Sequence, residues 1–166
     1  MRPLLFVDVD GPLIPFGGTA PYPTYGDPTP PGAHPLLSRL DPGLGPRLMA
    51  LGCELVWATT WMSDANDVLA PRLGLPRLPV VDWPDEESGG DTRAGLHWKT
   101  RTLSAWAGDR PYVWLDDEIT AADRAWTAAH HPAPTLLRRV DPRRGLAEAD
   151  FTAVGEWSAE YVAGRS

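Results

Sequence analysis

The sequence predicts an α/β protein in which a mostly parallel β-sheet is covered by helices. Short apolar segments suited to buried strands alternate with helical segments along the chain, and this order is typical of a parallel sheet with helical crossovers. The length of 166 residues suits one domain with a substantial core. We therefore predict a single domain over residues 1–166, without internal repeats or a linker.

The composition narrows the classes of function. The hydrophobic fraction is 43% and the net charge is -7, which argues against a general nucleic-acid coat or a membrane-surface protein but permits a local basic groove. The single cysteine, Cys53, excludes a disulfide framework and a cysteine-based zinc site. No apolar run approaches ~18 residues, and the first segment does not resemble a signal peptide. We expect a cytoplasmic protein that is not bound to a membrane.

The first predicted strand, residues 4–7, consists of four apolar residues. It leads directly into Asp8-Val9-Asp10, and Gly11-Pro12 then ends it. Side chains alternate along an extended chain, so Asp8 and Asp10 are expected to point to the same side. Carboxylates are costly to bury at such a position, and this pair suits a shared Mg²⁺ or phosphoryl group.

Residues 11–46 are rich in proline and glycine. Prolines disfavour helix interiors and strand ladders, so we predict an ordered loop or flap with at most a short hairpin. Its length is typical of a functional lid or a flexible insert, and it is too short for a second domain. Its residues Tyr22, Tyr25 and His34 are expected mainly to pack locally.

Four further strands and five helices are predicted from the remaining pattern. Gly52 ends the first helix, Ser63-Asp64 offers an N-cap for the second, and Lys99 lies in the first turn of the third. Residues 82–95 are acidic and glycine-rich and are interpreted as a surface loop. The helices are residues 44–51, 64–69, 98–107, 121–129 and 146–162, and the strands are residues 53–58, 78–81, 112–115 and 135–140.

Polar groups follow three of the predicted strands. The ends of parallel strands meet at one edge of a sheet, where ligands of open α/β sheets bind. Four carboxylates, those of Asp8, Asp10, Asp116 and Asp117, would meet there and would raise one another's pKa unless a cation neutralised them. A ligand set that consists only of oxygens favours Mg²⁺. Lys99, the only lysine, would add a positive charge, and Thr59 a hydroxyl donor. The polar groups are Asp8 and Asp10, Thr59, and Asp116 with Asp117.

These segments, taken together, resemble a known family. Asp8-Val9-Asp10-Gly11, Thr59, Lys99 and Asp116-Asp117, in that order, are similar to the four motifs of the haloacid dehalogenase (HAD) superfamily of phosphohydrolases. The resemblance covers residues 4 to about 119 and implies a Rossmann-like three-layer sandwich, here without a large cap domain. The segments 56–61, 97–99 and 114–118 further resemble the HAD domains associated with bacterial RNA-repair (Swiss Army Knife) proteins.

The resemblance implies a role for each acid. Asp8 would be the nucleophile that forms an aspartyl-phosphate, and Asp10 would protonate the leaving oxygen and later activate water. Asp8, the backbone carbonyl of Asp10 and one acid of the later pair would hold Mg²⁺. In similar proteins the second acid of the pair faces the metal, so Asp117 is expected to be the direct ligand and Asp116 its support.

The phosphate site would also include residues from the second and third motifs. Thr59 and Lys99 are expected to bind phosphoryl oxygens, with Thr59 preferred over Thr60. Gly11, Thr60 and Trp61 are further candidates for substrate binding. Asp64 is expected to cap a helix, Glu118 to lie on the surface, and Trp98 is a candidate for lining the pocket.

We therefore predict a Mg²⁺-dependent phosphomonoester hydrolase. An uncapped site would suit a bulky phosphorylated substrate, such as a nucleotide, a nucleic-acid end or a phosphoprotein. Two alternatives stay open from the sequence: a catalytically idle phosphate- or partner-binding module of the same fold, and a phosphotransferase. The leaving group, the oligomeric state and closure of residues 11–46 over the site are not predicted.

Overall fold

Four parallel strands form one sheet in the order β2-β1-β3-β4. The computed structural model describes residues 1–26, 31–84 and 95–165, and the statements below concern these residues. The strands β1, β2 and β3 are rich in buried apolar residues, as expected for strands covered on both faces, whereas the edge strand β4 is more polar. The strands are β1 (Leu4–Val7), β2 (Glu54–Trp57), β3 (Tyr112–Asp116) and β4 (Thr135–Arg139). The predicted α/β fold with a mostly parallel sheet is confirmed.

Helices lie on both sides of the sheet. Leu5 and Val7 of β1 belong to a buried cluster that includes side chains of α1, α2 and α5, whereas Leu4 and Phe6 pack on the other face with Leu103 of α3. This arrangement gives the predicted three layers. The helices are α1 (Leu44–Met49), a π-helix (Ala65–Leu69) that leads into α2 (Ala70–Leu73), α3 (Thr100–Ala107), α4 (Ala121–His130) and α5 (Glu148–Ala163).

The connections contain no large cap domain in the described part of the chain. Between β1 and α1, the residues of the proline-rich segment form turns, one isolated bridge between Asp10 and Ile14, and one 3₁₀ turn (Leu37–Arg39). The described residues before α1 in this segment thus contain little regular structure. Residues 27–30 of this segment, and residues 85–94 of the predicted acidic loop, lie outside the described residues.

The predicted strand at residues 78–81 is wrong. Val80 makes only an isolated parallel bridge with Trp57, through hydrogen bonds between Trp57 and the neighbours of Val80 in the chain. Pro76 and Pro79 lack the backbone N–H that a longer ladder needs. This segment therefore covers the edge of β2 without extending the sheet.

The helix predicted over residues 64–69 has different limits. It begins as the π-helix at Ala65 and continues through Pro71, which lies in the first turn of α2, where its missing N–H is tolerated. The side chain of Asp64 makes no capping hydrogen bond, so the prediction that it caps this helix is wrong. Lys99 is also placed slightly differently, because it immediately precedes α3 and lies at the N-cap position instead of in the first turn.

None of the described helices combines the length and the apolar character that crossing a bilayer requires.

Candidate active site

Three strands end beside one another at the carboxyl edge of the sheet. In the parallel register Val7 pairs with Trp57 on one side and with Leu115 on the other. Asp8 therefore lies between the segment that follows β2 and Asp116 at the end of β3. The convergence predicted from the sequence follows directly from this register.

Lys99 connects these strand ends through one buried ammonium group. Its Nζ lies 3.1 Å from Oδ1 of Asp8 and 2.9 Å from Oδ2 of Asp116, and it donates to the carbonyl of Ala58 over 2.8 Å. The Lys99 side chain is only 4% exposed. An ammonium group has three N–H donors, and here each has an oxygen partner, which offsets the cost of burying the charge.

The backbone around Lys99 is held by a residue that the sequence analysis did not single out. Asp123, which is fully buried in the first turn of α4, accepts hydrogen bonds from the backbone N–H of His97 and from the hydroxyl of Thr100, both over 2.7 Å. Its second oxygen accepts from the backbone of Thr120 in a capping box. The capping-box pattern at Thr120 was the available signal, but only the fold shows that this acid also joins the starts of α3 and α4.

Burial and mutual repulsion shift the protonation of the acids. Burial raises the pKa of Asp8 to about 7, with repulsion from Asp116 adding to this shift and Lys99 opposing it. Burial and the nearby Asp116 also raise the pKa of Asp117 to about 6. The carboxylates Asp8 and Asp116 raise the pKa of Lys99 against the opposing effect of burial, so this group stays charged. The single positive charge of Lys99 is therefore too small to balance the three carboxyl groups of Asp8, Asp116 and Asp117 when they are ionised.

The acids form a suitable site for a divalent cation. Asp8, Asp116 and Asp117 each contribute a carboxylate oxygen, and these oxygens lie within 4.8 Å of one another. Oxygen ligands are those that Mg²⁺ prefers, and a cation would offset the burial and the repulsion from Asp116 that raise the pKa of Asp8 and of Asp117. The donor set therefore fits a hard cation such as Mg²⁺.

The two acids of the later pair have different surroundings. Oδ2 of Asp116 accepts from Lys99 and Oδ1 accepts from the backbone N–H of Glu118 over 3.0 Å, so both of its oxygens have partners. Asp117 is only half-buried. This contrast supports the prediction that Asp117 is the direct ligand and Asp116 its support, although Asp116 also belongs to the three-acid cluster.

Gly11 lies against Asp117. Its φ is +104°, and a Cβ atom added there would lie 2.8 Å from Cγ of Asp117. Only glycine combines this backbone conformation with so close an approach. Gly11 thus makes room for an acid of the metal site, whereas its predicted contact with substrate stays a prediction.

Asp10 lies apart from the three-acid cluster. It is exposed, and its Oδ2 accepts a hydrogen bond from the indole Nε1 of Trp61 over 3.3 Å. Its side chain is therefore available to a substrate, while its backbone carbonyl stays the predicted metal ligand.

The turn after β2 positions Thr59, Thr60 and Trp61 differently. Thr59 is fully buried, and its Oγ1 accepts the backbone N–H of Trp61 over 3.1 Å, so the hydroxyl proton is still free to be donated. Thr60 is exposed, and Trp61 is partly buried against the core. The next residue, Met62, has a φ of +53°, which turns the chain sharply beside the site.

Two tryptophans stand beside Lys99. Trp98, which was predicted as a possible pocket residue, packs edge-to-face on Trp83 with ring centroids 4.9 Å apart, and Lys99 Nζ lies 5.5 Å and 5.7 Å from the two rings. Trp83 also donates its indole N–H to the carbonyl of Thr59 over 3.1 Å. Sequence reasoning missed Trp83, because no periodic pattern connects it with β2.

His97 and Glu118 complete this side of the site. Nδ1 of His97 accepts the backbone N–H of Lys99, and its Nε2 lies 3.1 Å from Oε2 of Glu118. Glu118 is exposed, as predicted, but it also contacts the residue that supports Lys99.

The fold and the arrangement of acids around one buried lysine define a domain of the HAD superfamily. A family model described as "HAD domain in Swiss Army Knife RNA repair proteins" matches residues 4–151, and the chain belongs to this family. The resemblance predicted from the sequence is confirmed. Searches of curated proteins and of solved structures found no match.

Proposed function

We propose that this protein is a Mg²⁺-dependent phosphomonoester hydrolase that works through an aspartyl-phosphate at Asp8. The observation that carries the proposal is the convergence of three carboxylate oxygens within 4.8 Å beside a buried ammonium group, with Lys99 Nζ 3.1 Å from Asp8. Membership of a HAD family supports hydrolysis of phosphate esters as the general class of reaction.

Asp8 and Asp10 would share the covalent chemistry. A carboxylate oxygen of Asp8 attacks phosphorus, the bond to the leaving oxygen breaks, and that oxygen takes a proton from Asp10. Water then attacks the phosphorus of the aspartyl-phosphate and gives a proton to Asp10, which releases phosphate and restores both acids. Asp8 is only 7% exposed, which suits a nucleophile held in place. Asp10 is exposed, which suits an acid that exchanges protons with the leaving group and with water.

The cation site would be formed by Asp8, the backbone carbonyl of Asp10 and Asp117. When bound there, Mg²⁺ would offset the negative charge that the carboxylates and the phosphoryl oxygens bring together. Lys99 holds Asp8 in place and adds a second positive charge for the phosphoryl group. The Thr59 hydroxyl would donate to a phosphoryl oxygen.

The substrate we propose is a bulky phosphomonoester, in particular a nucleic-acid end. The described chain has no large cap domain over the site, so a large group could approach it. The description of the family names RNA repair proteins, which favours a phosphorylated nucleic-acid end over a small metabolite. Tryptophan side chains near Asp10 and Lys99 offer flat surfaces on which bases could stack.

The test is release of phosphate by purified protein with Mg²⁺. We expect turnover of a generic aryl phosphate and of 3'- or 5'-phosphorylated oligonucleotides, and loss of more than about 10³-fold in the Asp8→Asn variant, which has no nucleophile. Asp67→Asn is the matched control, because Asp67 forms an exposed ion pair with Arg77 away from the site. Calorimetric titration should show that Asp8→Asn still binds Mg²⁺.

Three outcomes would contradict parts of this proposal. Full activity of the Asp8→Asn variant would exclude Asp8 as the nucleophile. Binding of phosphate without any turnover would favour the idle binding module. Transfer of the phosphoryl group to an added alcohol in preference to water would identify a phosphotransferase.

A further inference from the structure

A groove of about 590 Å³ lies beside Trp61, and one of its walls comes from the proline-rich segment. Its lining includes Thr60, Trp61 and Asp64 from the turn after β2, together with Gly32 and His34 from the segment between β1 and α1. The rings of His34 and Trp61 have centroids 5.0 Å apart and are tilted by 42°. The proline-rich segment therefore contributes to a surface that shares Trp61 with Asp10.

Trp61 links this groove to Asp10. The Trp61 side chain packs on the buried core, and its indole Nε1 donates to Oδ2 of Asp10 over 3.3 Å. A carboxyl group held at Oδ2 in this way presents Oδ1 as the oxygen that can carry a transferable proton. The indole thus fixes which oxygen of Asp10 faces a reacting group.

His34 presents a free donor next to Trp61. Its Nδ1 accepts the backbone N–H of Leu36 over 3.2 Å, so the neutral ring carries its proton on Nε2. Nε2 has no partner among the described residues, and the His34 ring is exposed. A ligand in the groove would therefore meet two aromatic rings and one N–H donor.

We propose that Trp61 and His34 form the leaving-group site, that this site takes a planar aromatic group such as a nucleobase or an aryl ring, and that Trp61 is a positioning residue for Asp10. This inference rests on the proposed function, because Asp10 must hand its proton to the leaving oxygen. The leaving oxygen would meet Oδ1 of Asp10, next to the oxygen that Trp61 holds, and the rest of the leaving group would lie against Trp61. The planar leaving group packs on the outer face of this pair of rings while the bond between phosphorus and its oxygen breaks.

The first test separates stacking from phosphate binding without any turnover. The affinity of the Asp8→Asn protein for 1-naphthyl phosphate, ethyl phosphate and inorganic phosphate is measured by calorimetry. We expect added Trp61→Ala or His34→Ala to weaken binding of the naphthyl ester about tenfold and to change binding of the other two less than about twofold. Equal weakening for all three ligands, or no weakening for any, would overturn the proposed site.

The second test addresses positioning of Asp10. Trp61→Phe keeps an aromatic ring and removes the N–H, so the KM for aryl phosphates should change little. The kcat for ethyl phosphate, whose leaving oxygen depends on protonation, should fall about tenfold, whereas the kcat for p-nitrophenyl phosphate should fall much less. An equal fall in kcat for the two substrates would overturn the positioning role.

Controls distinguish failure of this inference from failure of the proposed function. Trp126 and His130 of α4 form a stacked tryptophan–histidine pair with centroids 4.4 Å apart, away from the acids, so Trp126→Phe and His130→Ala should leave all three affinities and both kcat values unchanged. Thermal unfolding of each variant checks that it is folded. Absence of turnover in the unmodified protein would contradict the proposed function, whereas the binding test would still decide the aromatic site.

Discussion

At the scale of single residues, the site depends on a few close approaches between charged groups and backbone. The ammonium of Lys99 is stable in a buried position because Asp8, Asp116 and the carbonyl of Ala58 accept its three N–H groups. Asp117 is held by steric contact, because it fits against the bare Cα of Gly11. We therefore expect the candidate metal site to be sensitive to a single added methyl group at Gly11.

Gly11→Ala should weaken Mg²⁺ binding. The new Cβ would lie 2.8 Å from Cγ of Asp117 and would displace this acid, and the φ of +104° would add strain of about 1–2 kcal/mol. Gly52→Ala is the matched control, since Gly52 also has a positive φ, +75°, but its added Cβ would meet no atom within 4 Å. Calorimetric titration with Mg²⁺ and urea unfolding measure the two effects.

The expected results differ between the two variants. Both should lose stability, but only Gly11→Ala should lose affinity for Mg²⁺. Equal Mg²⁺ affinities for the two variants would show that the close contact between Gly11 and Asp117 does not affect binding of the cation.

At the scale of helices, α1 and α2 meet at a second glycine. A Cβ added to Gly45 of α1 would lie 1.8 Å from the carbonyl oxygen of Leu73 in α2. The two helices are thus in backbone contact on the same face of the sheet, where Leu48 and Leu73 are buried. The short helix α1 is stable because of this packing, since six residues alone are too few for a stable helix.

Gly45→Ala should therefore destabilise the fold. We expect a loss of about 1–3 kcal/mol, because backbone atoms must move to admit the methyl group. Gly155→Ala in α5 is the control, because its added Cβ would meet nothing within 4 Å and alanine favours helix by about 0.5–1 kcal/mol. Urea unfolding measures the free energy of unfolding of both variants. Changes of the same sign in the two variants would contradict the predicted contact.

At the scale of the whole molecule, the shifted acids connect stability with pH. The pKa of Asp8 rises from 3.8 to about 7 and that of Asp117 from 3.8 to about 6, so the folded protein binds more protons than the unfolded chain between these values. The free energy of unfolding without metal should therefore fall as pH rises from about 4 to about 7. Mg²⁺ competes with the same protons, so its stabilising effect should grow over this range.

The Asp8→Asn variant isolates this effect. Its neutral side chain resembles protonated Asp8, so in EDTA we expect it to match the unmodified protein at pH 5 and to be more stable at pH 8. Thermal unfolding at the two pH values, with EDTA and with Mg²⁺, makes the comparison. A difference in melting temperature between the two proteins that does not change with pH would contradict the raised pKa of Asp8.

Much of the fold followed from short patterns. The four strand segments were predicted because each is a compact apolar run, and the site acids were predicted because they directly follow such runs. The apolar residues of segment 78–81 resemble a strand, but Pro76 before it and Pro79 within it prevent a longer ladder. Two features of the helical segment after β2 could not be predicted from neighbouring residues. Asp64 makes no capping hydrogen bond, and the helix continues through Pro71. Both features depend on how the π-helix packs.

The sequence by itself determined the fold class and the gathering of Asp8, Thr59 and Asp116, because parallel strands bring their carboxyl ends to one edge. Only the tertiary structure decided which side chains contact these residues. The contact of Trp61 with Asp10 spans 51 positions and that of Trp83 with Thr59 spans 24, and both run through segments without periodicity. Such contacts depend on how loops pack on the finished sheet, and no local pattern of residues encodes that packing.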